Sequence, residues 1–218
     1  MTSTTLRTEN SRVNRVVLLP IDLLRPHEKG SPLYLELLRR EILRDGVLRY
    51  PIVADEKTRV ILDGMHRWLA LKSIGYKSIP VLLVDVFQKP AIRVGRKRIH
   101  RYENDFNEEL TVDKVISTGL SGKLMQPRFT RHFFPFSKFQ LINYSLHLLG
   151  RGKPSDVSQY LAKMTIKECS LAIREWLEEI SEELEFLDKR KSEVEKERDE
   201  FLNRVKSIGN GFSTSHAI

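Results

Sequence analysis

Residues 61–75, ILDGMHRWLALKSIG, change their hydrophobic period halfway along. A short apolar run ends on Asp63, Gly64 supplies a turn, and from there Trp68, Leu69, Leu71 and Ile74 fall at helical spacing. Gly75 is the natural terminator of that helix. The unit is strand, sharp turn, helix, and it sets the class of the whole chain as α/β (α+β).

The flanking segments agree. VVLLP from Val16 predicts a short strand ending at Pro20, and IDLL predicts a turn of helix before the Arg25-Pro26 break and the loop RPHEKGSP. Leu33, Leu37, Leu38 and Ile42 line one stripe of a helix that Gly46 stops. PIVADEKTRVILDG reads as a hairpin around Asp55–Thr58, and SIPVLLVDVF as a strand covered on both faces. Residues 16–87 therefore form one α/β unit. The basic stretch Lys89–His100 is expected to wrap the surface or line a cleft, and Thr111–Thr118 to form a short helix, with GLSGKLMQPRFTRHFFPF as a loop.

Three further helices are predicted. Ser137 and Gln140 form a capping-box pair ahead of a helix ending at Gly150, a second helix covers Val157–Met164, and Thr165 with Glu168 opens a long one to about Val205. In the long helix Ile173, Leu177, Ile180, Leu184, Leu187, Val194, Phe201 and Val205 alternate steps of three and four, interrupted by Lys191 and Arg198. That seam suits either a two-stranded coiled coil, and so a homodimer, or a helix folded back on its domain. The expected organisation is a flexible tail over 1–15, a domain over 16–136, a helical region over 137–208 and a flexible tail over 209–218.

Composition narrows the function classes. A net charge of +8 favours polyanions, among them nucleotides, phosphorylated metabolites and nucleic acid. Cys169 is the lone cysteine, so neither an internal disulfide nor a multi-cysteine zinc site is available. No run approaches the roughly eighteen apolar residues of a membrane span, and the polar start lacks a secretory block. A cytoplasmic protein is expected.

The strand-to-helix turn also carries the chemistry. A helix start exposes unpaired N–H groups and partial positive charge, and His66 with Arg67 adds an imidazole and a guanidinium there. Phosphate is the natural ligand. Arg67 can grip two phosphate oxygens, and Asp63 at the strand end can hold magnesium or orient a nucleophile. The alternative for the same residues is structural: Asp63 caps the helix, His66 packs, and Arg67 pairs with a surface acid.

DGMHR followed by WLAL resembles the glycine and arginine motif of the ParB/sulfiredoxin-like superfamily, in the form carried by archaeal free L-serine kinases. The similarity runs from about Val16 to Pro135. Three blocks match in order: RPHE at Arg25–Glu28, DGMHR at Asp63–Arg67 and PRFTRH at Pro127–His132. The resemblance implies a ParB/sulfiredoxin-like domain with a helical C-terminal extension, and a kinase that phosphorylates the hydroxyl of free serine for cysteine or related amino-acid metabolism. It makes Glu28 the catalytic base, with Asp63 as catalytic and magnesium-binding carboxylate. It assigns Gly64, Met65, His66 and Arg67 to the nucleotide phosphates, and Thr130, Arg131 and His132 to substrate. The donor is ADP or ATP, with ADP favoured. Met65 departs from the histidine expected in many of these kinases, which bears on donor choice. Sulfiredoxins place cysteine there, and a thioether excludes their thiol chemistry.

The rival is a non-catalytic ParB-like DNA-binding or partition protein, supported by the basic charge and the helices expected beyond 137. Against it, RGKPSD is too long for the tight turn of a helix-turn-helix, and Glu28 has no role. Nucleic acid is therefore not the expected partner. A ParB-like nuclease would need metal ligands beyond Asp63 and Glu28.

Overall fold

The computed structural model describes residues 16–88, 91–96, 110–136, 138 and 140–213. The expected tail over 1–15 and the last residues of the one expected from 209 lie outside them.

Four strands form the central sheet: β1 (Val16–Pro20), β3 (Ile52–Asp55), β4 (Ile61–Asp63) and β5 (Ser78–Val84), in the order β1-β5-β3-β4. β3 and β4 are the predicted antiparallel hairpin, whereas β3 and β5 run parallel because α2 (Met65–Ile74) carries the chain between them. Alternate residues of these strands feed two cores. Ile52, Ala54, Ile61, Ile79 and Val81 pack with α1 (Pro32–Asp45) and α2, while Val53, Val60, Leu82 and Val84 pack with Val115 and Ile116 of α3 (Val112–Ser121). A sheet covered on both faces explains the unbroken apolar run of β5.

The local signals act as expected at α1 and α2. Ser31 caps α1, its hydroxyl accepting from Tyr34 N, with Pro32 in the first turn and Gly46 closing the helix at φ 67°. Gly75 closes α2 at φ 92°. α2 is buried nearly all round, and its Trp68 satisfies its indole N–H on the carbonyl of Ile21 at 2.9 Å.

Beyond residue 88 the predicted helix at Thr111–Thr118 stands as α3, capped by Thr111, and other expectations need correction. The basic stretch and the long loop each supply a strand, β6 (Arg93–Arg96) and β7 (Thr130–Phe133), which pair as an antiparallel ribbon. No helix spans the described residues between 138 and 150. Instead β8 (Tyr144–Ser145) pairs with β2 (Val47–Leu48), Asn143 adopts φ 42°, and a 3-10 turn over Leu146–Leu149 seats two leucines in the core. Leu-rich spacing there reports docking to the core. Val157–Met164 holds a single 3-10 turn, because Gly30 N donates to Tyr160 O at 2.8 Å and Ala162 N to Gly30 O at 2.9 Å. The segment is a strap laid along an earlier loop.

The last helix, α4 (Ile166–Ser213), opens on the predicted capping box, with Glu168 N donating to the Thr165 hydroxyl and Thr165 N to the Glu168 carboxylate. It runs past the expected boundary at 208. The chain divides into two compact units, Met1–Ser170 and Leu171–Ile218. Among the described residues no helix is long and apolar enough to cross a membrane.

Candidate active site

The loop RPHEKGS is extended and held from three sides. Ile61 N donates to Arg25 O, Met125 N to His27 O and Lys29 N to Met125 O, at 2.9 to 3.0 Å, before the strap takes Gly30. A Cβ at Gly30 would come 2.4 Å from the Cδ1 methyl of Leu69, so any larger residue would require that buried leucine to shift. The loop thereby rests on the first turn of α2. Ser31 N donates to His66 Nε2 at 2.8 Å, a bond that ties the two segments together.

Side chains then join the three sequence blocks. His27 Nδ1 donates to Ile61 O at 2.7 Å, two residues before Asp63. Thr130 donates its backbone N–H to Glu28 Oε2 at 3.2 Å, and its hydroxyl lies 3.1 Å from the same oxygen and 2.9 Å from His27 Nε2. Burial holds His27 below its ordinary value of 6.5, against the raising influence of Glu28 and of the bond to Ile61. A neutral ring with its proton on Nδ1 presents Nε2 as an acceptor. The single hydroxyl proton of Thr130 therefore sits between two acceptors, and the 3.9 Å approach of His27 to Glu28 is not an ion pair. Glu28 Oε1 makes no hydrogen bond among the described residues.

At the strand-to-helix turn Gly64 is the N-cap at φ 93°, where a Cβ would lie 2.8 Å from the guanidinium of Arg67. The helix ladder begins with Trp68 N on Gly64 O, so the N–H groups of Met65, His66 and Arg67 precede it. Arg67 pairs with Asp63 Oδ2, and Lys138 reaches Asp63 Oδ1 at 3.2 Å. Asp63 caps nothing.

Several sequence assignments change position in this geometry. His66 packs under the edge of Tyr34, ring centroids 4.6 Å apart, and its Nε2 accepts from Ser31, so it is a neutral positioning ring and not a cation. Met65 is 5% exposed and packs in the core, leaving its backbone N–H at the turn. Thr130 is buried against Glu28. His132, on the same face of β7, meets His27 edge-on at 5.6 Å. Arg131 is carried to the opposite face, where its guanidinium lies 5.4 Å from the Phe133 ring.

Sequence reasoning missed Tyr34, Arg128 and Lys138. Burial holds the Tyr34 phenol above its ordinary value of 10.0, while the charges of Arg67 and Arg128 pull it down. Lys138 had no signal at all. Arg128 stood inside a quoted block, between a proline and a phenylalanine.

Among the described residues no group of three or more His, Cys, Asp or Glu is arranged to hold a metal ion. Asp63, with Arg67 on one oxygen and Lys138 on the other, does not fit a resident divalent ion.

No family model matches the chain. Among solved structures, a free serine kinase in complex with AMP superposes with a TM-score of 0.52 at 16% identity, covering 62% of this chain and 93% of that one. The fold is the ParB/sulfiredoxin-like one. In sequence the chain is similar to L-serine kinases. The one from Staphylothermus marinus, named ATP-dependent, is 36% identical over 77 residues, 34% of this chain and 31% of that protein. The one from Thermococcus kodakarensis, named ADP-dependent, is 31% identical over 75 residues, 33% and 31% of the two. A ParB-like protein of Sulfolobus acidocaldarius is 41% identical over 64 residues, 28% and 31%. The chain matches about a third of the length of these curated relatives.

Proposed function

We propose that this chain is a nucleotide-dependent kinase that transfers a phosphoryl group to the hydroxyl of free L-serine, giving O-phospho-L-serine. The observation that carries the reading is the fixing of Glu28 through Thr130 on a loop seated against the anion-binding start of α2. Glu28 Oε1 would accept the serine hydroxyl proton as that oxygen bonds to phosphorus and the bond to the departing nucleotide breaks. The N–H groups of Met65, His66 and Arg67, with the Arg67 guanidinium, would hold the donor phosphates. Magnesium, carried on those phosphates and met by Asp63, would neutralise part of their charge. Both donors are named among the relatives, so both belong in the test. We also propose that α4, whose Leu177, Leu184, Val194, Phe201 and Val205 are exposed, pairs two copies of the chain.

The ParB-like relative keeps the DNA-binding alternative in view, yet the described residues between 138 and 165 form no helix-turn-helix. Purified protein incubated with L-serine, magnesium and either ADP or ATP is expected to yield phosphoserine. No product with either donor would return the DNA-binding reading to first place.

A further inference from the structure

β7 alternates, and its alternation separates two arginines that look equivalent in the block PRFTRH. Thr130 faces Glu28, so Arg131 and Phe133 face the other way. On that outer face Phe133 is 43% exposed and has guanidinium groups on it from Arg131 at 5.4 Å and Arg93 at 5.8 Å. Gly95 lies beneath, where a Cβ would come within 3.3 Å of the ring. Arg131 is thus committed to the solvent side of a two-stranded ribbon.

Arg128 differs on each count. It is 7% exposed, and it occupies the turn just ahead of β7 at φ 57°, a left-handed conformation that favours glycine. Glycine would relieve the backbone and spare the burial of a guanidinium, so the side chain must be what this position requires. Its charge acts on the Tyr34 phenol together with that of Arg67, while Tyr34 packs on His66. Two residues on, Thr130 holds Glu28. Arg128 is therefore a buried cation two residues from the Thr130–Glu28 bond, and its charge reaches the Tyr34 phenol.

We propose that Arg128, not Arg131, receives the carboxylate of the amino-acid acceptor. The proposal rests on the serine kinase reading and divides its charges between the two reactants. Arg67, at the helix start beside three N–H groups, is committed to the donor phosphates. A second, buried, planar guanidinium, two residues from the threonine that holds Glu28, matches a carboxylate with two parallel hydrogen bonds.

The test is calorimetric titration of the full chain, as wild type, Arg128→Gln and Arg131→Gln, with O-phospho-L-serine and with O-phosphoethanolamine, which has the same phosphate and amine but no carboxylate. Wild type is expected to bind phosphoserine about tenfold tighter or more. Arg128→Gln should bring that ratio close to one with ADP binding kept, and Arg131→Gln should leave it intact. A ratio retained in Arg128→Gln, or lost in Arg131→Gln, overturns the assignment. So does a wild type that makes phosphoserine but shows no preference. A wild type that neither makes nor binds phosphoserine removes the kinase reading as well. Should Arg128→Gln not melt cooperatively, Arg128→Lys keeps the charge without the fork. The ratio should then fall about threefold or more, and an unchanged ratio overturns the proposal.

Discussion

Thr130 directs both its backbone N–H and its hydroxyl at one oxygen of Glu28, Oε2, at 3.2 and 3.1 Å. One carboxylate oxygen is spent on position, and the other is left for a proton. Glu28→Gln keeps the shape and the acceptor but cannot take a proton, so phosphoserine formation should fall about 10²–10⁴-fold with nucleotide affinity and melting temperature little changed. Thr130→Val should act through Glu28, lowering kcat more than it raises KM, and cost about 1–3 kcal/mol because His27 Nε2 loses its buried partner. A Glu28→Gln enzyme of normal rate would make the residue structural.

His27 gives this network a pH dependence of known sign. Its folded value lies below the ordinary 6.5, so between the two the unfolded chain binds the extra proton. Its contribution to stability is full above 6.5 and is lost as pH falls below it. Melting temperatures from pH 8 to 5 should decline more steeply for wild type than for His27→Gln, whose amide can still donate to Ile61 O. Parallel curves would show that His27 is not the titrating group.

Gly64 is constrained twice, by φ 93° and by the guanidinium of Arg67 packed over its Cα. Gly64→Ala should cost about 1–3 kcal/mol in backbone strain. It should also displace Arg67, raising KM for the nucleotide while leaving KM for serine nearly unchanged. Denaturant unfolding and initial rates with each substrate varied separate the two effects.

Lys138 donates to Asp63 Oδ1 at 3.2 Å, an oxygen that the proposed reaction would share with a cation carried on the donor phosphates. Lys138 and magnesium then compete for Oδ1, and Lys138→Met should lower the magnesium concentration that gives half-maximal rate. Manganese binding to the nucleotide complex, followed by electron paramagnetic resonance, should tighten in parallel. Weaker metal dependence on nucleotide in the variant would instead make Lys138 a phosphate ligand.

Much of the domain was legible because its signals are local. A glycine after a strand, a serine before Pro32 and an apolar run of seven each fix their own segment, and β1, β3, β4 and β5 with α1 and α2 stand where the periodicity puts them. The site's grouping was legible through the three blocks. What could not be read depends on partners distant in sequence. β6 and β7 are too short to declare themselves and exist by pairing with each other, and the Leu-rich segment near 146 lies flat because β2 offers it an edge. The same reason hid the roles of His66 and Arg131, which are decided by what Ser31 and Phe133 bring to them.

The strap that replaced a predicted helix makes the role of the C-terminal region separable. Residues 157–162 carry Val157 into the core and bond Gly30 on both sides of Leu161, so they support the loop that bears Glu28. Cys169, at the start of α4, is buried and lies 3.9 Å from the Ser31 hydroxyl. The contacts that hold the loop in the first compact unit all come from residues before Leu171, where that unit ends. Truncation after Ser170 should leave phosphoserine formation within about twofold of the full chain, whereas truncation after Gly150 should abolish it by releasing Gly30. Light scattering on the same proteins tests α4: a dimeric full chain and a monomeric 1–170 product place the pairing in the heptads. Equal masses for the two would remove that pairing while leaving the strap's role to the activity measurement alone.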